Sequence, residues 1–230
     1  TVDVTVGEVR RILGEYGAWI VHRSRVGYSL DVPGSEELVR KGWHFFNRRT
    51  KEGAERAIGF FQEASVQYPG DCRALEGLST CHLMLATFGM APPLEVYPRF
   101  LEAHEGAVQS GGLTPELRCN RALGLHMFEH RPHAAEAEYL QTLRDKPSCA
   151  TAHVRMALMY ATLGDLDRAL QSIQDGYAVD PLLPILPSTD VNVRVWRGEY
   201  ETAIAIGGSA VDLHPYLLIS RANYAQALEI

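Results

Sequence analysis

Long hydrophobic runs are missing from this sequence of 230 residues, although 46% of its residues are apolar. No stretch approaches the uninterrupted apolar length that a membrane-spanning helix requires. The segment Thr1-Val2-Asp3-Val4 has neither the basic start nor the apolar run of a signal peptide. We therefore expect a protein that does not engage a membrane and is cytoplasmic.

The sequence also contains few positively charged residues relative to acidic ones, and few cysteines. The 22 Lys and Arg residues are outnumbered by 28 Asp and Glu residues, and the net charge of −6 argues against a generic affinity for nucleic acid. The four cysteines lie far apart and form no CxxC pair, so we expect buried free thiols. They are Cys72, Cys81, Cys119 and Cys149.

Signatures of catalysis are absent as well. The sequence has no glycine loop that would cradle a phosphate, no HExxH, no GxSxG and no cysteine beside an evident base. His126 and His130 would share one face of a helix, as two metal ligands should, but His133 lies beyond Pro132 and the spacing fixes no third ligand. The sequence therefore predicts a protein that is not an enzyme and holds no metal or cofactor.

What the sequence does contain is a repeat with a period of about 34 residues. A glycine, an alanine and a proline recur at this spacing, and such a period marks stacked helix pairs that are each too small to bury their own apolar face. The recurring residues are Gly164, Ala169 and Pro181; Gly198, Ala203 and Pro215; Ala135 and Pro147; and, two periods plus a short insertion earlier, Ala57 and Pro69.

The unit around Gly164 shows why these residue types recur. Gly164 suits the left-handed residue that ends a first helix, and Asp165 can begin the second. Ala169 is small because the two helices cross there. Pro181 stops the second helix, since it has no amide hydrogen and restricts the residue before it.

Applied along the chain, this pattern predicts an all-α fold from residue 33 to residue 230. The predicted repeats span about 35–71, 72–112, 113–147, 148–181 and 182–215, followed by a partial sixth unit at 216–230. Since the partial unit ends with one helix, Leu217, Leu218, Ala222 and Ala225 would expose an apolar face, and we expect that a homodimer is possible.

The period and its fixed small residues resemble the tetratricopeptide repeat (TPR). The resemblance implies an α–α superhelix whose first helices line a concave groove for a protein or peptide partner. An arginine group beside apolar patches would suit an extended or helical peptide with an acidic group; alternatively, the aromatic residues pack between helices and the arginines are solvated. The groove residues implied are Val39, Trp43, Phe46, Asn47, Arg73, Arg118, Arg121, Leu125, Phe128, Val154, Leu158, Asn192 and Trp196.

Residues 1–32 follow a different pattern. A helical stretch from Val2 to Leu13 precedes two short runs rich in aromatic and β-branched residues, Ala18 to His22 and Val26 to Leu30, which predict a hairpin. The matches Val9-Arg10-Arg11-x-Leu13 and Val26-Gly27-Tyr28-x-Leu30 resemble the end of a winged helix of the response-regulator effector type. That resemblance implies a recognition helix and a wing, with Arg10, Arg11, Arg23 and Arg25 as weak DNA contacts.

Two departures from the winged-helix pattern weaken this DNA contact. Gly7 and Glu8 stand where relatives place basic side chains, and a carboxylate facing phosphates costs affinity. The helices that would complete the fold are not in the sequence, so we expect DNA binding only if the complete winged helix is present. The absent initiator methionine and the stop at Ile230 lead us to expect truncation at both ends.

The two resemblances together predict a non-enzymatic regulatory module of a bacterial transcriptional regulator, in which a winged helix precedes a TPR region. The alternative is a stand-alone TPR scaffold or adaptor with no DNA-binding role, in which residues 1–32 only cap the first repeat.

Overall fold

A computed structural model describes residues 2–13, 20–23, 27–30, 34–69, 71–215 and 218–229. The helices in this part of the chain are α1 (Val2–Leu13), α2 (Ser35–Phe46), α3 (Lys51–Gln67), α4 (Cys72–Thr87), α5 (Pro93–Gly111), α6 (Pro115–Met127), α7 (Pro132–Asp145), α8 (Ala150–Thr162), α9 (Leu166–Val179), α10 (Ile185–Arg197), α11 (Tyr200–Leu213) and α12 (Leu218–Leu228). Two strands, β1 (Ile20–Arg23) and β2 (Gly27–Leu30), pair antiparallel, with Ile20 opposite Leu30.

The chain divides into an N-terminal unit, Thr1–Gly111, and a C-terminal unit, Gly112–Ile230. In the N-terminal unit α2 packs on α3, α4 packs on α5, and the two pairs meet through α3 and α4. The C-terminal unit contains the pairs α6/α7, α8/α9 and α10/α11, and α12 packs on both helices of the last pair. From α2 to α11, each helix pair falls inside one repeat predicted from the sequence.

Side-chain caps fix where several helices begin. The hydroxyl of Thr50 accepts a hydrogen bond from the Gly53 amide at 3.0 Å, and Thr114 accepts one from Leu117 at 3.1 Å. The carboxylates of Asp71 and Asp165 do the same at the starts of α4 and α9. These short polar side chains satisfy amides that a helix start otherwise leaves unpaired.

The turn between the two helices of a pair demands one left-handed residue. Gly164 (φ 82°) and Gly198 (φ 79°) supply it in two pairs, as the sequence predicts for Gly164. His130 (φ 53°) occupies the same place one repeat period before Gly164, although it carries a side chain. The left-handed region favours glycine, so this turn holds His130 in a less favourable conformation.

Four alanines at the repeat spacing are fully buried. Ala57, Ala135, Ala169 and Ala203 all have an exposed fraction of 0%, as expected of small residues where the two helices of a pair cross. A larger side chain at these positions would push the two helices apart.

The residue four places after each crossing alanine fills the space between neighbouring pairs. Phe61, Tyr139 and Ile173 are fully or almost fully buried there. Phe61 lies against Gly42 of α2 and Gly77 of α4, where an added Cβ would come within 2.5 Å and 2.4 Å of its ring. In the last pair the corresponding residue is Gly207, and Tyr224 of α12 packs over it instead.

Polar side chains also join equivalent places of consecutive repeats. His126 bonds to Thr162 at 2.9 Å, and Arg155 donates to Asn120 at 2.9 Å. The buried Ser188 bonds to Ser220 at 2.6 Å. In each case the two partners are separated by nearly one repeat period along the chain. In the described residues no helix is long and apolar enough to cross a membrane.

Candidate interaction surface

The first helices of the pairs form a continuous layer in each unit. In the N-terminal unit α2 contacts α4, and in the C-terminal unit α6, α8, α10 and α12 contact one another in that order. The polar bonds from α6 to α8 and from α10 to α12 run within this layer. We call it the first-helix face, and it carries most of the groove residues predicted from the sequence.

In the N-terminal unit the predicted groove residues mostly pack inside. Val39 and Phe46 are buried, which corrects their placement on an accessible groove. Trp43 is partly buried and meets the rings of Phe46 and Phe61 edge-on, with centroids 5.4 Å and 5.2 Å away. Asn47 is exposed at the end of α2.

In the C-terminal unit the apolar groove residues divide in the same way. Leu125 and Val154 belong to the buried core, so the prediction that they face a partner is corrected for these two as well. They are buried in a cluster that contains residues of both first and second helices. Leu158 packs against this core, while Phe128 and Asn192 are partly exposed.

The predicted arginine group is a set of separate ion pairs. Arg118 contacts Glu138 at 3.1 Å and Asp145 at 3.6 Å, and Arg121 contacts Glu129 at 2.7 Å. In the N-terminal unit Arg73 donates two hydrogen bonds to Asp71. These bonds hold the pKa of the Asp71 carboxyl well below its usual range. A ligand carboxylate would therefore have to compete with internal carboxylates for these arginines.

Among the large apolar residues of the predicted groove, all of which are described, Trp196 is the one that the structure leaves exposed. Its side chain, at the end of α10, has an exposed fraction of 48%. It borders a hollow of about 640 Å³ together with Arg197 and the α8–α9 turn. The turn contributes Leu163, Gly164, Asp165, Leu166 and Asp167. Leu163 is also exposed, so two large apolar side chains lie open to a partner among mostly polar lining groups.

The charges around this hollow are fixed in place. Arg197 bonds to Asp167 and to Glu199, the latter at 2.8 Å, and these contacts raise the pKa of the Arg197 guanidinium. On the other side Asp165 bonds to Arg168, which lowers the pKa of the Asp165 carboxyl. The hollow thus combines an indole, an isobutyl side chain and a rim of paired charges.

Most residues of this hollow were not predicted as site residues from the sequence. Gly164 and Asp165 were recognised only as turn residues, and Leu163 and Arg197 were not singled out. The period contains the relevant signal, because the turn of one repeat lies beside the end of the next first helix, and Trp196 follows Leu163 by almost one period.

The histidines of the predicted turn have structural roles. His126 bonds to Thr162, burial lowers the pKa of its imidazole, and His130 forms the left-handed turn. Among the described residues no group of three or more His, Cys, Asp or Glu side chains is placed to hold a metal ion.

The predicted DNA contacts are only partly described. Arg10 and Arg11 are exposed in the last turn of α1. Arg23 lies at the end of β1, and Arg25 lies outside the described residues. Of the apolar residues proposed for self-association, Ala222 and Ala225 are exposed on α12, and Leu217 lies outside the described residues. DNA binding and a homodimer both stay predictions.

No protein-family model matches the sequence, and no curated protein matches it at a significant level. Among solved structures, the chain is similar to TTC0263, a thermophilic TPR protein of Thermus thermophilus, with a TM-score of 0.69 and 21% identity. The alignment covers 86% of this chain and all of that one. The chain has a tetratricopeptide repeat fold. The prediction of stacked TPR helix pairs is thereby confirmed.

Two further structures share this fold. Human IFIT1, solved as a dimer with m7Gppp-AAAA, aligns over 98% of this chain with a TM-score of 0.74 and 18% identity. This chain spans about half of the IFIT1 chain, 51%. The type IV pilus biogenesis factor PilW aligns with a TM-score of 0.56 and 14% identity, covering 84% of this chain and 91% of its own. At such identities the likeness shows the fold alone.

Proposed function

We propose that this TPR chain is a non-enzymatic protein-interaction module whose C-terminal unit binds a peptide or protein partner through the hollow at Trp196. The observation that carries the proposal is the half-exposed indole beside the exposed Leu163, in a concavity between two consecutive repeats. Tryptophan is enriched among the residues that contribute most of the binding energy in protein interfaces, and such residues are surrounded by a more polar rim.

The chemistry of the hollow favours an apolar anchor over the acidic group expected from the sequence. Arg118 and Arg121 already contact carboxylates of this chain, so a ligand carboxylate would gain little free energy by displacing those internal carboxylates. An aliphatic or aromatic side chain, in contrast, would remove water from Trp196 and Leu163 without breaking an ion pair. The partner is therefore a segment with at least one large apolar residue.

The test starts from a random peptide library selected on the wild-type chain. Peptides that bind are measured by calorimetry against Trp196→Ala, which should weaken binding by about 2 kcal/mol, roughly thirtyfold. The matched control is Phe88→Ala, because Phe88 has the same exposed fraction of 48% but lies in the N-terminal unit. Equal effects of the two variants would refute the hollow as the binding site.

A ligand such as the m7Gppp-AAAA of the IFIT1 structure fits the charges of this chain poorly. The net charge is −6, and Arg118 and Arg121 on the first-helix face are paired with carboxylates. Phosphate recognition depends on cationic groups that can release counterions, which paired arginines do poorly.

We further propose that the interaction module serves a bacterial transcriptional regulator in the cytoplasm. The support is the winged-helix-like sequence of residues 1–32, together with Arg10 and Arg11 exposed on α1. The alternative, a stand-alone adaptor, predicts no contact with DNA. Anisotropy of a labelled duplex at low and high salt separates them, measured on a chain in which helices added upstream complete the winged helix of residues 1–32. Salt-sensitive binding that Arg10→Ala/Arg11→Ala weakens supports the regulator, and no binding supports the adaptor.

A further inference from the structure

Arg155 differs from the other partly buried arginines of the C-terminal unit. Arg118, Arg121 and Arg194 each contact a carboxylate. Arg155, on α8, instead donates from Nη1 to the Cys119 sulfur at 3.3 Å and to the Asn120 side-chain oxygen at 2.9 Å. In the part of the chain that the structure describes, no carboxylate forms an ion pair with it.

A desolvated guanidinium without an anion is unfavourable. Burial is the largest influence on the pKa of Arg155 and acts to lower it, but Cys119, Tyr139 and Cys149 act the other way and the pKa is raised overall. Since Tyr139 is itself buried and the pKa of its hydroxyl is raised, the acidic groups able to balance Arg155 are the two thiols.

The two thiols are in contact with each other. Cys119 lies on α6 and Cys149 is the N-cap residue of α8, and both belong to one buried cluster. Lys146 bonds to Glu116, three residues before each cysteine, which holds the two segments together, and the two thiols interact. They come together because their separation along the chain is close to one repeat period. Both are buried in the core of the C-terminal unit, and Cys149 is the more exposed of the two, with 8% against 2%.

The environment makes Cys149 the ionised member of the pair. The hydrogen bond from Cys119 lowers its pKa to about 6 against the effect of burial, and the Ala152 amide at the start of α8 acts in the same direction. Glu116 and Lys146 also act on it with opposite signs, and they bond to each other. Cys119 keeps its proton, since its pKa is raised well above the usual value by the Cys149 bond and by burial.

We propose that Cys119 and Cys149 form a redox-sensitive pair, which a hydroperoxide converts to a disulfide between the first helices of two consecutive repeats. The Cys149 thiolate attacks one oxygen of hydrogen peroxide, giving a sulfenic acid and hydroxide. The Cys119 sulfur then attacks the sulfenic sulfur, its proton leaves with the hydroxyl group as water, and the S–S bond forms. The hydroxide takes up the proton that Cys149 released when it ionised. In total the two thiols lose two protons and two electrons, and the peroxide becomes two waters.

The other two cysteines provide internal controls. Cys81 is buried alone in the N-terminal unit, where burial raises the pKa of its thiol to about 12. Cys72 is partly exposed, so it is replaced by Ser in all samples to prevent its separate oxidation. Cys81→Ser then serves as the matched variant that should change nothing.

The first measurement is the intact mass after treatment with hydrogen peroxide. We expect a loss of about 2 Da, reversed by dithiothreitol, with Cys119 and Cys149 joined in the peptide map. Cys119→Ser and Cys149→Ser should abolish the loss, while Cys81→Ser keeps it. Absence of the loss in a folded wild-type chain, or persistence of it in either single variant, would overturn the proposal.

The second measurement is the rate of alkylation of Cys149 by iodoacetamide between pH 5 and pH 9. Arg155→Met should slow alkylation at neutral pH by about tenfold, because the pair loses the cation that favours a thiolate. Arg155→Lys should restore most of the rate, and circular dichroism shows which variants fold. An unchanged rate in folded Arg155→Met would refute the role of Arg155. If that variant does not fold, the wild-type mass and pH profile decide alone.

Discussion

The N-terminal unit and the C-terminal unit are built from the same kind of helix pair, but different side-chain contacts hold the pairs together in each. In the N-terminal unit the Phe61 ring lies between two glycines of neighbouring pairs, and Trp43 packs on it edge-on. In the C-terminal unit polar bonds between repeats take a larger part, from Arg155 to Asn120 and from Arg168 to Glu136. The TPR fold therefore specifies where pairs meet, while the residues at the junction decide how the contact responds to volume, pH and salt.

Acid should affect the N-terminal unit most. His82 on α4 is buried, and burial, with Arg99 adding to it, lowers the pKa of its imidazole from 6.5 to about 4. Between these values the unfolded chain binds the proton and the folded chain does not. The contribution of neutral His82 to the free energy of unfolding is therefore complete above pH 6.5 and is lost as the pH falls towards 4. This contribution is on the order of 3 kcal/mol. Urea unfolding across this range measures it.

The matched variants are His82→Gln and His133→Gln. His133 is exposed on α7 in the C-terminal unit, so its replacement should leave the pH dependence unchanged. His82→Gln should make the free energy of unfolding depend less on pH. An equally steep curve in folded His82→Gln would show that other groups, such as the half-buried His126 and His153, dominate the acid response.

Added volume should be the next most damaging change to the N-terminal unit. Gly77→Ala places a methyl group 2.4 Å from the Phe61 ring, and overpacking of this kind costs about 1–3 kcal/mol. Gly59→Ala is the control, since Gly59 lies on α3 with nothing within 4 Å of an added Cβ. It should stabilise the chain by up to about 1 kcal/mol through helix propensity. Effects of the same sign would contradict the packing described for Phe61.

The C-terminal unit should respond to loss of charge and to salt. Glu136 accepts hydrogen bonds from Tyr160 at 2.7 Å and from Arg168 at 3.2 Å, which joins three helices. Glu136→Gln should cost about 0.5–1 kcal/mol at low salt and less at about 1 M NaCl, because these contacts are partly exposed. The exposed Glu201 on α11 supplies the control Glu201→Gln, expected to be neutral. A cost that salt leaves unchanged would mean that packing, not charge, is lost.

The smallest expected effect is that of His130→Gly, at one turn of the C-terminal unit. His130→Gly should stabilise the chain by several tenths of a kcal/mol, since φ 53° is unfavourable for a residue with a Cβ. Gly164→Ala at the equivalent turn should destabilise it by about 1 kcal/mol. Thermal unfolding of both variants compares the two turns. If His130→Gly were the more destabilising variant, the His130 side chain would have to make a contact that outweighs the strain.

Much of the fold was predictable from the sequence because residues at fixed positions of each repeat mark where helices begin, end and pack closely. Ala57, Ala135, Ala169 and Ala203 were identified by spacing alone, and all four are fully buried. Gly164 and Asp165 end one helix and begin the next as expected. Backbone conformation and close helix approach impose these residue types locally, so the same types recur at the repeat period and can be recognised in the sequence.

The candidate site was predictable only in part. The period identified the first helices, but Val39, Phe46, Leu125 and Val154 turned out to be core residues, because apolar side chains on a first helix serve both its own pair and the next one. Arg118 and Arg121 lie on a first helix, and their role in binding a partner stays a prediction. Their carboxylate partners lie at unrelated spacings along the chain and follow no motif.

The amino-acid sequence by itself determined the helix pairs, their period and the small residues at their crossings, because these depend on interactions within one repeat. Only the tertiary structure decided which side chains meet between repeats. It placed Arg155 on Cys119, Cys119 on Cys149, and Trp196 beside the turn at Leu163. Such encounters depend on the stacking of one pair on the next, which brings together residues about one period apart whatever their chemistry.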